Sequence, residues 1–266
     1  MPDHSTFTAI VLAGDRGPRD PVAAGTGVSG KAVANVNGTP MIIRVLDALA
    51  ASPYVDEIII CGPSPAALSE CPQLQDYLAR DTLRRVENLD SPSKSVEAAM
   101  SLVPPDRAVF LTTADHALLE TKVIDFFLAG SLESEADATV GLVKYDTILE
   151  NFPQVKRTVI RLGDGGVCGC NLFSFTTAEG RGIVPFWRKV EQKRKKPWKL
   201  IMGLLGPTGV IKYALNKLQL EDALTRISSG LRMRINAVVL PYPRAGIDVD
   251  TMSDLEFVEN LLQEDS

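Results

Sequence analysis

Small and basic residues follow the chain's first apolar run. Phe7 to Leu12 is β-rich and breaks at Ala13-Gly14, and the next stretch carries Arg16, Gly17, Arg19 and Lys31 with little bulk. Small residues let backbone N–H groups approach phosphate oxygens, and arginine or lysine supplies charge. A plain surface turn would use the same glycines. Asp115 closes a second apolar run, Leu111-Thr112-Thr113-Ala114. A carboxylate there can hold a divalent ion, cap a helix or face water. His116, beside it, can contact a phosphate or simply face water, and the latter is the expectation.

Asp248 and Asp250 alternate onto one face of an extended segment. Two such carboxylates repel unless a cation or a lysine lies between them. Thr251 or Ser253 could cap the final helix. Ser91-Pro92-Ser93-Lys94-Ser95 places hydroxyls and an ammonium at a helix start, where they can read a base edge, hold an oxygen or merely form an N-cap. Asn171 lies in an otherwise apolar strand with Leu172, Phe173 and Phe175. If buried, it must find a ligand or a backbone partner.

The order of these groups resembles the MobA-like nucleotidyltransferase family. That family includes molybdenum-cofactor guanylyl- and cytidylyltransferases and is related to sugar-1-phosphate nucleotidyltransferases. Leu12-Ala13-Gly14, Gly17, Arg19, Lys31 and then Gly38-Thr39-Pro40-Met41-Ile42 follow its pattern L-A-G-G-x-G-x-R, K, G-x-P-M-I. The resemblance implies that Leu12, Ala13, Gly14, Gly17, Arg19 and Lys31 wrap a nucleotide, with Arg19 and Lys31 on its phosphates. It makes Asp115 a metal ligand. Gly246 to Thr251, with Asp254, is similar to the family's closing stretch, which implies Asp250 as second metal ligand and Asp248 as reserve. It also implies nucleotide contacts from Ser93, Lys94 and Ser95, and an acceptor contact from Asn171.

The activity implied is Mg2+-dependent nucleotidyl transfer. An NMP moves from an NTP to a phosphorylated or alcohol acceptor, pyrophosphate leaves, and Arg19, Lys31 and Asp115 carry the catalysis. Two departures keep a non-catalytic nucleotide-binding protein as an alternative. Asp15 stands in place of the second glycine, and no proline follows Asp115-His116. A further alternative is a nucleotide-sugar-dependent glycosyltransferase, because Asp248-Val249-Asp250 is a literal D-x-D. Against it, the motif lies near the end of the chain. Gly25-Thr26-Gly27-Val28-Ser29-Gly30 is a literal G-x-G-x-x-G. Its strand ends about a dozen residues too early for a dinucleotide loop.

Strands and helices must position these groups. Strands are expected at Phe7 to Leu12, Asp56 to Cys61, Leu83 to Val86 and Arg107 to Thr113. Helices are expected at Pro40 to Ala51, Ala66 to Arg80 (interrupted at Cys71-Pro72), Lys94 to Leu102 and Lys122 to Ala129. From Asp137 the pattern becomes more strand-rich: Ala138 to Lys144, Thr158 to Leu162 and Val167 to Phe175, with a turn at Gly163 to Gly166. Val184 to Ile227 reads as helical, broken at Gly206-Pro207. Ile235 to Leu240 is a strand, Gly246 to Asp250 extended and Met252 to Leu262 a helix. The alternation predicts a three-layer α/β/α domain with a mixed, mainly parallel sheet, and the resemblance implies that it is nucleotide-diphospho-sugar-transferase-like (GT-A-like). The whole chain, 1–266, is expected to form one domain with a helical basic insert at about 176–232.

Composition narrows the class. The 266 residues are 45% hydrophobic and 23% charged, ordinary for a soluble globular protein. No apolar run reaches the ~20 residues of a membrane span. Met1 to Thr8 lacks the pattern of a signal peptide. Cys61, Cys71, Cys168 and Cys170 suggest no disulfide framework, and Cys168-x-Cys170 lacks zinc-site spacing. The expectation is a cytoplasmic protein.

The net charge of −5 hides a split: residues 181–217 hold ten of the 28 Lys+Arg and one acidic residue, Glu191. That segment is therefore +9 and the rest −14. Trp187 and Trp198 lie among its cations, and Leu200 to Leu205 adds an apolar run. Such a stretch can meet an anionic membrane or a lipid-linked acceptor, grip a phosphorylated acceptor, or form a solvated helix face. The acidic remainder argues against nucleic acid.

Overall fold

The computed structural model describes residues 6–14, 20–192 and 198–264. They divide into two compact units, Met1–Pro104 with Val109–Asp125 and Ile247–Ser266, and Pro105–Ala108 with Phe126–Gly246. In chain order the elements are β1 (Phe7–Leu12), α1 (Pro21–Thr26), β2 (Asn35–Val36), β3 (Thr39–Pro40), α2 (Met41–Ala50) and β4 (Val55–Cys61). Next come α3 (Pro65–Ser69), α4 (Pro72–Leu78), β5 (Leu83–Val86), α5 (Pro92–Met100), β6 (Ala108–Thr113) and α6 (Thr121–Glu133). They are followed by β7 (Ala138–Lys144), α7 (Tyr145–Asn151), β8 (Ile160–Leu162), β9 (Gly165–Phe175), α8 (Ala178–Arg181) and α9 (Ile183–Gln192). The chain continues through α10 (Trp198–Ala214), α11 (Leu220–Leu231), β10 (Ile235–Leu240) and α12 (Met252–Glu264). No helix among the described residues is long and apolar enough to cross a membrane.

In the first unit β6, β1, β4 and β5 lie side by side in that order. β1 pairs with β4 and β4 with β5, both parallel, with Ile10 opposite Ile59. Continuous apolar runs such as AIVL and IIIC suit strands covered on both faces. Phe7, Ile10, Ile59, Ile60 and Phe110 are fully buried. α2 turns Met41, Ile42, Val45, Leu46 and Leu49 inward at helical spacing. Each such side chain contributes about 1.5–3 kcal/mol on burial. β2 and β3 form a hairpin across Asn37-Gly38, both with positive φ, the geometry an Asn-Gly pair favours.

The segment between Arg19 and Lys31, Asp20 to Gly30, contains a helix that the sequence pattern does not predict. Asp20 caps α1 by accepting from the Val22 and Ala23 N–H groups, and Pro21 opens it. The G-x-G-x-x-G run starts in this helix's last turn. Gly25 packs against Met252, and Gly27 is the left-handed C-cap at φ 73°. Its glycines therefore end a helix, which removes the dinucleotide reading.

The second unit carries β10, β7 and β9 in that order, with β8 on β9. β10 and β7 are parallel, whereas β7 and β9 are antiparallel. The mixed sheet is thus as expected. β9 begins at Gly165, two residues before the predicted start. Its pairing with β7 slips between Val140 and Leu142, where Asn171 takes the left-handed conformation at φ 53°. Cys168 and Cys170 are both buried, with exposed Gly169 between them.

Met202, Leu205, Val210, Tyr213, Leu218, Ala223 and Ile227 pack on Leu142, Leu162 and Val167. Part of the insert's apolar content therefore belongs to a protein core. Gly206 kinks α10 at φ 67°, as the Gly-Pro pair predicts. Lys193 to Lys196 lie outside the described residues, and Trp187 is half-buried.

Asp137 fastens this unit at the start of β7. Its carboxylate accepts from the Arg234 N–H at 2.6 Å, the Arg234 guanidinium at 3.2 Å and the Thr177 hydroxyl at 3.2 Å. Burial works to raise its pKa, but those hydrogen bonds and the Arg234 charge outweigh it and hold the carboxyl below the usual range. A folded pKa below the unfolded one stabilises the protein above the unfolded pKa, and the gain is lost as pH falls through the folded one. Asp137→Asn is expected to cost about 1.5–3 kcal/mol at pH 7, typical of hydrogen bonds to a charged group. The deficit should shrink below about pH 4. Urea melts at pH 7 and pH 3 check both.

Candidate active site

Three strands of the first unit end side by side. β1 leads to Ala13-Gly14, β4 to Gly62-Pro63 and β6 to Ala114-Asp115. Hydrogen bonds join them at their carboxyl ends: Ala13 N–H to the Cys61 carbonyl, 2.9 Å, and Ala114 N–H to the Leu12 carbonyl, 2.9 Å. Ligands in such sheets gather at this edge. Gly62, at φ 90°, must be glycine, because a Cβ there would stand 2.7 Å from the Ala13 carbonyl oxygen.

Lys31 opens a 3-10 turn, Lys31–Val33, and is buried. The turn is anchored from behind. The Met41 N–H donates to the Ala34 carbonyl, 3.0 Å, and the Arg44 guanidinium donates to the Val36 carbonyl, 2.9 Å. The Lys31 Nζ donates to Asp115 Oδ2 at 2.5 Å and to Asp250 Oδ1 at 2.9 Å. The other Asp115 oxygen accepts from the Thr113 hydroxyl at 2.5 Å. Burial, the largest single influence on Lys31, lowers its pKa, yet the charges and hydrogen bonds of Asp115 and then Asp250 prevail, so the ammonium lies above the ordinary lysine range.

The closing stretch is pinned to the same place. The Val249 N–H donates to the Asp115 carbonyl at 3.0 Å. Ile247 and Val249 are buried and Asp248 is half-buried, so the alternation expected of this segment holds. Of the two aspartates, Asp250 is the one on Lys31. The Thr251 hydroxyl accepts from the Asp254 N–H at 3.2 Å, and the Asp254 carboxylate accepts from the Thr251 N–H at 2.8 Å. That reciprocal pair starts α12 and settles Thr251 rather than Ser253 as the cap.

The remaining predicted residues are disposed as follows. Leu12 and Ala13 close β1, and Gly14 is exposed. Gly17 and Arg19 lie outside the described residues. Ser91 caps α5 by accepting from the Lys94 N–H. Ser93 and Ser95 are fully buried. Lys94 pairs at 3.0 Å with Asp90, itself 90% exposed, so its ammonium points to solvent in this conformation. His116 is 1% exposed, which corrects the expectation that it faces water. Its backbone N–H and carbonyl belong to the turn after β6. Asn171 belongs to the second unit.

Asn88 was missed. A Cβ on Gly14 would stand 2.4 Å from its Oδ1, and Ser95 Oγ donates to that oxygen at 3.1 Å. Position could have found it. Asn88 follows the last residue of β5 by two, as Gly14 follows that of β1 and Asp115 that of β6.

The site thus joins a small-residue loop, a buried ammonium and two carboxylates at one sheet edge. Among the described residues no group of three or more His, Cys, Asp or Glu is placed to hold a metal. Asp115 and Asp250 present hard oxygen donors to one cation, the Lys31 ammonium. That donor set fits an ion such as Mg2+, which takes one or two protein carboxylates and completes its shell with water and phosphate.

Known proteins resemble this chain in sequence and in fold. The 2-C-methyl-D-erythritol 4-phosphate cytidylyltransferase of Acidobacterium capsulatum is 30% identical over 151 residues, 56% of this chain. The chain spans 61% of that relative's length. A hypothetical transferase from Thermus thermophilus superposes with a TM-score of 0.76 at 28% identity, covering 94% of this chain and 99% of that one. A CMP:2-keto-3-deoxy-manno-octonic acid synthetase, solved with CTP, shares the fold with a TM-score of 0.59 at 13% identity, covering 98% of this chain and 100% of that one. Residues 9–149, which hold the first loop, Lys31 and Asp115, match the MobA-like NTP transferase domain, and the chain belongs to that family of nucleotidyltransferases.

Proposed function

We propose that this protein transfers a nucleotidyl group from an NTP to a phosphorylated or alcohol acceptor. The observation that carries the reading is Lys31, a buried ammonium between Asp115 and Asp250 at the carboxyl edge of the sheet. The acceptor oxygen attacks the α-phosphorus, the bond to the pyrophosphate oxygen breaks, and the acceptor loses its proton. Lys31 and Arg19 neutralise charge on the α-phosphate and the departing pyrophosphate. Gly14, with the Asn88 side chain against it, brings backbone N–H groups to phosphate, Asn88 and Lys94 border the nucleotide, and Ser93 and Ser95 act from the buried first turn of α5, where Ser95 holds Asn88. Asp115, with Asp250, would hold Mg2+ (Asp248 in reserve), and a bound Mg2+ stabilises phosphate charge and aligns the displacement. No side chain acts as a nucleophile. Alignment and electrostatics supply the rate.

A thermal-shift screen of the NTPs with Mg2+, followed by pyrophosphate release over an acceptor panel, tests this. Binding to the native state raises the melting temperature. If no NTP shifts the melt, the reading fails. If an NTP binds tightly without turnover on any acceptor, a nucleotide-binding protein replaces the enzyme.

We assign Asn171 and the basic segment to the acceptor, which is then anionic or lipid-linked. Charge carries this assignment, +9 over residues 181–217 against −14 elsewhere. Reversing Lys193, Arg194, Lys195 and Lys196 to Glu is expected to raise the acceptor KM about tenfold or more with NTP affinity nearly unchanged. Sedimentation with anionic liposomes separates a membrane contact from a soluble acceptor.

A further inference from the structure

We propose that Lys31 and a divalent cation compete for the same two carboxylates, so that the ammonium is a built-in counter-ion the cation must displace. The identity of the cation's natural companion rests on the nucleotide reading above, whereas the competition itself rests on the geometry. The Nζ stands 2.5 Å from Asp115 Oδ2 and 2.9 Å from Asp250 Oδ1. Thr113 occupies the other Asp115 oxygen at 2.5 Å. Oδ2 is therefore the oxygen that both cations would use.

The carboxylates cannot easily separate to serve the two at once. Asp115 is held through its carbonyl by Val249, and the Asp250 N–H donates to Asp254 at 3.2 Å. The Lys31 side chain is only 11% exposed, so little water screens it from an incoming ion. A dication beside an ammonium at hydrogen-bond range meets strong repulsion. The lysine is the movable part, because its flexible stem can carry the ammonium from carboxylate to another anion.

The coupling follows. Phosphate that binds Lys31 removes the repulsion, so nucleotide raises metal affinity and metal raises nucleotide affinity by the same factor. Metal alone binds weakly. With nucleotide, the two enter as a pair.

The test uses Mn2+ alone as the probe, followed by the loss of its free EPR signal on titration with protein. Lys31→Met is expected to bind Mn2+ about tenfold or more tighter than the wild type, since the displaced charge is gone. Adding Asp115→Asn to Lys31→Met should abolish that gain. Equal Mn2+ affinity in wild type and Lys31→Met overturns the proposal.

A second measurement needs no variant. Acetylation of Lys31 in the wild type, read by mass spectrometry, should rise in step with Mn2+ occupancy as the ammonium is released. Mn2+ binding that leaves this labelling unchanged overturns the proposal too. The nucleotide reading fails on different evidence. If no NTP binds with or without Mg2+, transfer is ruled out while the gain of Lys31→Met in Mn2+ affinity stands.

Discussion

Asp115→Ala is expected to lower pyrophosphate release by about 10³-fold or more, the scale of losing a group that organises transition-state charge. The reason lies in how many contacts meet at this carboxylate. It accepts from the Lys31 ammonium at 2.5 Å and from the Thr113 hydroxyl at 2.5 Å, while the Asp115 backbone carbonyl takes the Val249 N–H at 3.0 Å. Alanine leaves Lys31 with only Asp250 and removes one of the two oxygen donors suited to Mg2+. Asp115→Asn keeps the shape and one oxygen acceptor but not the charge. It should lose nearly as much activity while retaining the wild-type melting temperature within a few degrees. The same assay ranks the closing segment, and Asp250→Ala should cost more than Asp248→Ala because Asp250 is the residue on Lys31. Turnover of Asp115→Asn within tenfold of wild type would remove this carboxylate from the reaction.

Lys31→Ala is expected to lower turnover by about 10²-fold or more, the usual loss for one preorganised electrostatic group. Its effect on stability has two opposing parts. Removing the ammonium abandons two carboxylates to mutual repulsion, but it also relieves the burial of a cation. The protein should therefore remain folded, and melting curves must accompany the kinetics. Because the ammonium serves phosphate charge that grows in the transition state, kcat should fall more than NTP affinity. Unchanged pyrophosphate release would leave the Lys31 turn as a connector only.

Much of this is legible in the sequence. The runs at Phe7 to Leu12 and Asp56 to Cys61 are strands because Val and Ile crowd them and Gly or Pro punctuates them. Asn37-Gly38 turned as an Asn-Gly pair should, and Gly206-Pro207 kinked its helix. The exceptions have local physical causes. α1 is six residues of mostly small side chains with no amphipathic period, and what makes it a helix is its Asp20 cap and Pro21. The burial of His116 is not legible in the sequence, because residue type and position say nothing about what covers a turn.

The sequence by itself determined the chemistry available: a strand-ending small-residue loop, a lysine, and aspartates at the ends of apolar runs. It also determined the elements that bear them, since propensity, period and turn residues act over a few neighbours. What only the tertiary structure decided is which of these groups meet. Lys31, Asp115 and Asp250 are separated by 84 and 219 positions from the lysine, and no local rule pairs them. The parallel order of β6, β1 and β4 brings their carboxyl ends to one edge. The hydrogen bond from Val249 to the Asp115 carbonyl then sets the register in which Asp250, rather than Asp248, reaches the ammonium. Asn88 came to Gly14 in the same way, because β5 ends at that edge too. Such meetings depend on strand order and on long-range burial, which arise from the packing of the whole sheet rather than from any stretch of the chain.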